Sequence, residues 1–472
     1  MSIKLRKFWP LFLSYIVLSI FVLINSENPF FWDTVQLGSH HANHYFSSNF
    51  SKLLLPDHID SGHIPAFGMY IALAWKLFGR SLIISHLAML PIVFGILLQV
   101  FSLIQRFVPV KYLGIAFLLI LIDPTLLSQV ILVSPDIPLV FFFLLGVNAI
   151  LDNKKIILMT AVVFLFLSSM RGMMVSVCLL ILDLYLNASF YRNIKKMMLM
   201  LLKRSLIYLP AFFIFIFYSF LHYSEKGWIG FHADSPWAES FRQVGLKGFV
   251  FNVGVLGWRL LDFGRVVVWV VLLVLFATYK KEILKDKKVH VLIFFFICII
   301  TLLPINMLWA KGLLAHRYLL PIYLILSFLG VAILYADYVN QRLRFVLTVL
   351  WVLIMITGNL WIYPPKISQG WDASLAHMPY YKLRQEANLF LDNNNINFED
   401  VASFFPNTAS LDVIDLNGDK RSFQRFSKVN KYVLYSNVYN LSDEEYDYIV
   451  KQYDVVKQFS KNGVFICLYS KK

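Results

Sequence analysis

"FWDTVQLGSHHANHYFSSNF", residues 31–50, places an acid and three histidines directly behind an apolar run. That run, Phe8 to about Ser26, has the roughly 20 residues needed to cross a bilayer core about 30 Å thick. No small-residue cleavage pattern follows it, so it is expected to remain in the mature chain as a membrane helix rather than leave as a signal peptide. The polar stretch then emerges on the far side of a membrane.

The rest of the chain agrees. Of 472 residues, 58% are hydrophobic, 17% aromatic and only 15% charged, and the mean hydropathy is +0.65, beyond the range of a soluble domain of this size. The formal charge of +15 would suit a nucleic-acid binder, but Lys and Arg cluster in short gaps between apolar runs, as in cytoplasmic loops. No nucleic-acid partner is expected. Cys178 and Cys298 lie in apolar runs and Cys467 is alone in the tail, so no disulfide is expected.

Charges and spans together give a topology. Lys4, Arg6 and Lys7 hold the N-terminus in the cytoplasm, and residues 27 to about 80 form the first outer loop. A span from about Ser81 to Phe107 returns to Arg106 and Lys111, a short third span exits near Ser128, and "DIPLVFFFLLGVNAIL" re-enters to "DNKK". "IILMTAVVFLFLSSM" exits at Arg171, and the next span meets Arg192, Lys195, Lys196, Lys203 and Arg204. The chain exits near Tyr223, forms an outer loop through about Asp262, and re-enters to "YKKEILKDKKVH". Two crossings then place "WAKGLLAHRYLLP" outside and "NQRLR" inside, and a last helix ends at "YPPK". About eleven transmembrane helices are expected.

Pro364 and Pro365 end the last helix, and the composition beyond them turns polar. Residues 1–362 are therefore read as a transmembrane domain and 363–472 as a small extracytoplasmic α/β domain. In the latter, "YYKLRQEANLFLDNN" and the capped "SDEEYDYIVKQY" are expected helices, and "KYVLYSN" and "GVFICLYS" expected strands. No internal repeat is evident.

The first outer loop is rich in aromatic residues. "TVQLGSHHANHYF" and "HIPAFGMYIALAWKLFG" both have the pattern of amphipathic helices lying at the membrane interface. Asp33 opens the first, where capping alone would explain an acid. His40 and His44, four apart, share a helical face and are weak candidates for a metal pair, with His41 pointing elsewhere; interfacial packing explains them as well.

Asp33, "DSGHIPAFGMYIALAWKLFG" (60–79), "VSPDIPLVFFFLLGV" (133–147) and "HRYLLPIYLIL" (316–326) occur in that order. In this the chain resembles the GT-C-fold glycosyltransferases that use polyprenyl-phosphate sugars, close to the bacterial members of the protein O-mannosyltransferase and aminoarabinose-transferase group. The resemblance extends over nearly the whole chain. It departs at Ile64, where a second Pro is usual, and at Thr34, where many relatives carry a second acid. It implies a GT-C-like fold with juxtamembrane helices over the active site, in the bacterial inner membrane, with Asp33 as catalytic base or acceptor-orienting group and Asp136 beside the same cavity. Asp136 also reads as an ordinary helix start.

Such a transfer breaks the bond between the anomeric carbon and a phosphate while an acceptor hydroxyl attacks. A carboxylate takes the acceptor proton, and fixed positive charge stabilises the leaving phosphate. Arg317 and Arg171 are the leading phosphate-binding candidates, with Lys76, His63, His316 and Tyr318 behind them. Snorkelling to the headgroups is the competing reading for the arginines, since Arg at the bilayer centre costs about 2.5–3.5 kcal/mol. The expected partners are a polyprenyl-phosphate sugar, membrane lipids, and a lipid, glycan or protein acceptor. No cofactor is expected, and a role for a divalent ion is left open. An O-antigen polymerase or ligase would place its main polar loop late in the chain, and a transporter would place polar residues at midplane in paired repeats. Here they gather at the outer helix ends.

Overall fold

The computed structural model describes residues 3–188, 193–230, 232 and 237–472, with side chains from Lys7 onward. Arg192 and the side chains of Lys4 and Arg6, invoked for the topology, lie outside the described residues.

The chain is an integral membrane protein of packed helices carrying a small C-terminal sheet. Helix α1 (Ile3–Ile24) leads through a π-helical turn (Thr34–His40) into α2 (His41–Ser47) and α3 (Ala66–Phe78). The bundle continues with α4 (Leu82–Phe107), α5 (Leu113–Leu121), α6 (Pro124–Ile131), α7 (Asp136–Leu151), α8 (Lys155–Ser168) and α9 (Met170–Ala188). After α10 (Ile194–Ser205) and α11 (Leu209–Lys226) come the single turn α12 (Ala238–Phe241), α13 (Leu246–Leu261), α14 (Val266–Ile283), α15 (Lys287–Leu302) and the single turn α16 (Ile305–Leu308). Helices α17 (Leu320–Leu334) and α18 (Gln341–Gly358) close the bundle.

Among the described residues, seven helices are long and apolar enough to cross a membrane, or up to nine if each of two bent pairs is one span. The expected eleven includes α7 and α8 as well, two shorter apolar helices of 16 and 14 residues, about 24 and 21 Å of helix.

The bends are local chemistry. Between α5 and α6 the axis turns by 70°, where Asp123 caps α6 through the N–H groups of Thr125 (2.9 Å) and Leu126 (3.1 Å) and Pro124 begins the new helix. Between α13 and α14 it turns by 83°. There Gly264 has a φ of +84° and a Cβ would stand 2.5 Å from the carbonyl oxygen of Ile354, so only glycine fits.

The outer loop expected up to Asp262 contains α13 instead. Several of its apolar positions, Leu246, Val250, Phe251 and Leu261 among them, are exposed, while Leu256 and Leu260 are buried. They are interspersed with Lys247, three glycines and Asn252, which dilute the hydropathy and hid the helix.

Helix α17 is apolar all round and every one of its residues is buried, as expected for a helix surrounded by others. It packs on α5, α14 and α15 and so forms the axis of the bundle. The residues just before it, His316, Arg317 and Tyr318, stand at one end of that axis.

The tail contains α19 (Pro379–Asn393), α20 (Leu411–Asp415) and α21 (Asp443–Gln452) with strands β1 (Val401–Ser403), β2 (Gln424–Arg425), β3 (Tyr432–Ser436), β4 (Tyr453–Lys461) and β5 (Val464–Lys471). The sheet order is β2-β1-β3-β5-β4, with β1 parallel to β2 and β3, and β5 antiparallel to β3 and β4. Both expected helices and both expected strands are present. Strand β4 escaped notice because this edge strand is exposed at nearly every position, which erases alternation. The turn signal was there: Asn462 and Gly463 both take positive φ between β4 and β5.

The core of the tail receives a side chain from the other end of the sequence. Phe31 is fully buried there, stacked on His377 at 4.7 Å between ring centroids, tilted against Tyr380 and edge-on to Tyr381. Its neighbour Phe30 donates its N–H to Ile414 (3.0 Å), and Arg80 pairs with Asp412 at 2.9 Å. Truncating a buried Phe costs about 3–5 kcal/mol. Phe31→Ala is accordingly expected to lower the melting temperature of the purified protein and to make the tail more susceptible to protease; unchanged values for both would show that the seam carries no stability.

Candidate active site

Asp33 is positioned by the two aromatic residues before it. Phe31 anchors in the tail, Trp32 takes a left-handed φ of 52° with its ring against Phe405, and the chain turns sharply into the π-helical segment. Thr34 closes the turn, its hydroxyl accepting from the Phe31 N–H and donating to the Phe31 carbonyl, both at 2.8 Å. The hydroxyl of Thr34 thus acts as a clasp.

Arg317, 8% exposed, draws three carboxylates together. Its Nη2 donates to Asp33 Oδ2 and, at 3.0 Å, to the Tyr318 hydroxyl; its Nη1 donates to Asp372; and its Nε lies 3.2 Å from Asp136 Oδ2. The Tyr318 hydroxyl in turn donates to Asp33 Oδ2 at 3.3 Å. Arg171 donates to the other oxygen of Asp136 and lies with its guanidinium 3.8 Å from the Tyr318 ring centroid, while that of Arg317 lies 4.6 Å from it. Two cations thus flank one ring. With three aspartates against two arginines, the cluster carries one formal negative charge.

Asp372 was not anticipated. It belongs to the segment after the last helix, held against α6 by Ser128 (2.8 Å) and Gln129 (2.7 Å), which donate to the Asp372 carbonyl, and by Thr125, which donates to that of Ala373 (3.0 Å). The polar face of α6 was the available signal. It marks a short helix that binds backbone.

A cavity opens beside the cluster, with about 140 Å³ of space for a water-sized sphere, room for roughly ten waters. Asp33, Arg171, Tyr318, His63, His41 and Ser61 lie on its polar side together with Ser168, Ser169 and Asn306, and Met170, Met174, Phe67, Leu303 and Met307 form much of the rest. Gly62 takes φ +70°, and a Cβ there would stand 1.3 Å from the Gly230 carbonyl, so the Gly-His-x-Pro turn is held tightly against the segment after α11. Burial, then the charge of Arg171, pushes His63 down to about 4, and burial pushes His41 to about 4 despite its 2.8 Å bond to the Ile59 carbonyl. Both rings are neutral at pH 7 and offer hydrogen bonds rather than charge.

The expected site residues therefore separate. Asp33, Arg171, His63 and Tyr318 line the cavity, and Asp136 and Arg317 stand directly behind them. Arg317, expected to hold phosphate, has a carboxylate at each of its nitrogens instead, and of the two arginines only Arg171 lines the cavity. His316 turns away, its Nε2 2.7 Å from Asp262 and its ring against Phe263. Lys76 is exposed at the end of α3, 4.6 Å over the Phe46 ring, and does not line the cavity. His40 and His44 do not line it either, and no group of three metal-ligating side chains forms among the described residues.

Fold and site define a polytopic helical membrane protein with a carboxylate–guanidinium centre at the mouth of a largely apolar cavity. No family model matches the chain, and no curated protein matches it. It is similar to two solved structures of ArnT from Cupriavidus metallidurans, one bound to undecaprenyl phosphate and one in the apo state. Identities are 12% and 11%, with 97% of each chain covered in both cases and TM-scores of 0.49 and 0.48.

Removing one partner of a buried charge cluster costs about 3–5 kcal/mol. Arg317→Ala removes the cation facing Asp33 and Asp372 and leaves Asp136 with Arg171 alone, and it is expected to reduce the yield of folded protein and its melting temperature, whereas Lys76→Ala changes neither. Equal behaviour of the two variants would refute the organising role of Arg317.

Proposed function

We propose that the protein is a membrane glycosyltransferase of the GT-C type, moving a sugar from a polyprenyl-phosphate donor to an acceptor on the extracytoplasmic side. The reading rests on one observation: an acid and a guanidinium, Asp33 and Arg171, face the same cavity, and most of its other walls are apolar. Such walls suit the isoprenoid, and a charged headgroup is met at the rim.

In this reading the donor phosphate is bound by Arg171, which Asp136 orients and Tyr318 supports from its ring face. The acceptor hydroxyl attacks the anomeric carbon, its proton passes to the Asp33 carboxylate, and the carbon–oxygen bond to phosphate breaks with its electron pair leaving on the phosphate. Fixed guanidinium charge in a partly water-excluded site stabilises that leaving group. Asp33 is held by Arg317 and Tyr318, which orient it. The neutral rings of His63 and His41 and the hydroxyl of Ser61 are available to sugar hydroxyls. Residues 1–362 form the catalytic part, with the N-terminus cytoplasmic in the bacterial inner membrane, and 363–472 lie on the extracytoplasmic side and contribute Asp372 to the Arg317 cluster.

Membranes containing the protein, incubated with radiolabelled polyprenyl-phosphate sugars, test the proposal. Asp33→Asn is expected to insert and fold yet transfer no label, and wild-type turnover would remove the base. Arg171→Ala loses a charge-assisted contact worth about 1.5–3 kcal/mol and is expected to raise the half-saturating donor concentration about 10- to 100-fold; an unchanged value counts against phosphate binding there. Running the assay with EDTA decides whether a divalent ion takes part.

A further inference from the structure

Six arginines are buried among the described residues: Arg204, Arg259, Arg265, Arg317, Arg344 and Arg384. Five of them face a carboxylate within 4 Å: Asp183, Asp262, Asp123, Asp33 and Asp415 respectively for Arg204, Arg259, Arg265, Arg317 and Arg384. Arg344 is the exception. It is 7% exposed, and its Nε and Nη2 donate to the carbonyls of Leu334 (3.1 Å), Ala336 (2.8 Å) and Val339 (2.9 Å), while Nη1 donates to the Tyr112 hydroxyl. Those carbonyls end α17 and form the turn beyond it. They supply partial negative charge to a full positive one, which leaves the cation uncompensated at a place where desolvation is expensive.

A cleft of about 450 Å³ opens beside it between α18 and the start of α5, within the usual range of ligand sites. Its lining changes character along its length. Tyr112, Gln341 and Arg344 stand at one end, and Val349, Val352 and Leu353 at the other. From Gln341 to Leu353, α18 rises about 18 Å, the scale of an acyl chain. At the polar end three donors remain: the second hydrogen on Arg344 Nη1, the Tyr112 hydroxyl hydrogen, since that oxygen accepts from Arg344, and the exposed Gln341 amide. Lys111, 4.9 Å over the Tyr112 ring, adds positive charge, and no acid lines the cleft. Asp337, on the preceding loop, is exposed and pairs with none of these residues.

The structure assigns this cleft as a binding site for an anionic phospholipid, its phosphate at Arg344, Tyr112 and Gln341 and an acyl chain along α18. Basic pockets between membrane helices are suited to such headgroups. The cleft lies at the opposite end of α17 from Arg317, about 22 Å of helix away, so it opens toward the leaflet opposite the cavity. It is independent of the proposed reaction.

The test uses the full chain in neutral detergent, its melting temperature titrated with dioleoyl phosphatidylglycerol, dioleoyl phosphatidylcholine or inorganic phosphate. A ligand that binds only the folded state raises that temperature in proportion to its occupancy. Phosphatidylglycerol is expected to half-saturate at a concentration about tenfold or more below phosphatidylcholine, and phosphate alone to do nothing. Val349→Trp fills the apolar arm without touching the Arg344 contacts and is expected to abolish the preference; Gln341→Leu, at an exposed position, is expected to weaken it severalfold even if the Trp variant folds poorly. Equal effects of the two lipids on the unaltered protein, a phosphate effect matching the lipid, or a preference surviving in Gln341→Leu and in folded Val349→Trp would each overturn the assignment.

Discussion

One guanidinium organises this molecule. Arg317 sits at the end of the buried axial helix, where an isolated arginine is unfavourable, and three aspartates that would each be unfavourable alone converge on it. The carboxylates come from the loop after the first helix, the start of α7 and the segment beyond the last helix. Parts of the chain separated by hundreds of residues are thereby fixed to one point. The same arrangement divides labour between the arginines: Arg317 is consumed by structure, and Arg171, tied to one carboxylate and supported by a tyrosine face, is left to face the cavity.

Hydropathy exposed the membrane-spanning character of the chain because a bilayer demands long apolar runs. The same criterion missed α13, where glycines and a lysine interrupt the apolar residues, and it read α7 and α8, of 16 and 14 residues, as crossings. Arg171 and Arg317 were legible because basic groups at the outer ends of apolar runs are few, whereas Asp33 and Asp136, ordinary helix starts by themselves, stood out only through the resemblance. Asp372 was not legible, for it lies in an ordinary loop and acquires significance only from where α6 holds its backbone. His316 shows the limit from the other direction. It adjoins Arg317 in sequence, yet neighbours on a 3₁₀ turn project about 120° apart, and its ring goes to Asp262 instead of the cavity.

The two ends of α17 contrast in a way that neither composition nor net charge conveys. At one, positive charge is matched and exceeded by carboxylates; at the other, a buried arginine leans on the carbonyls that terminate the helix. Helix polarity contributes at that second end, since carbonyl ends favour cations. Along the helices between them the packing is apolar and dense, with Trp351 and Tyr323 among the largest fully buried side chains.

The insertion of Phe31 into the tail has a consequence for biosynthesis. Translation supplies Phe31 among the first residues, but its socket of Tyr380, Tyr381 and His377 does not exist until some 350 residues later, about 20 to 70 seconds at ordinary elongation rates. Throughout that interval the earliest loop has nothing to dock into. Asp33 therefore acquires its final place only at the close of synthesis, and a ribosome that stops early releases a membrane-embedded chain whose carboxylate–guanidinium centre was never assembled.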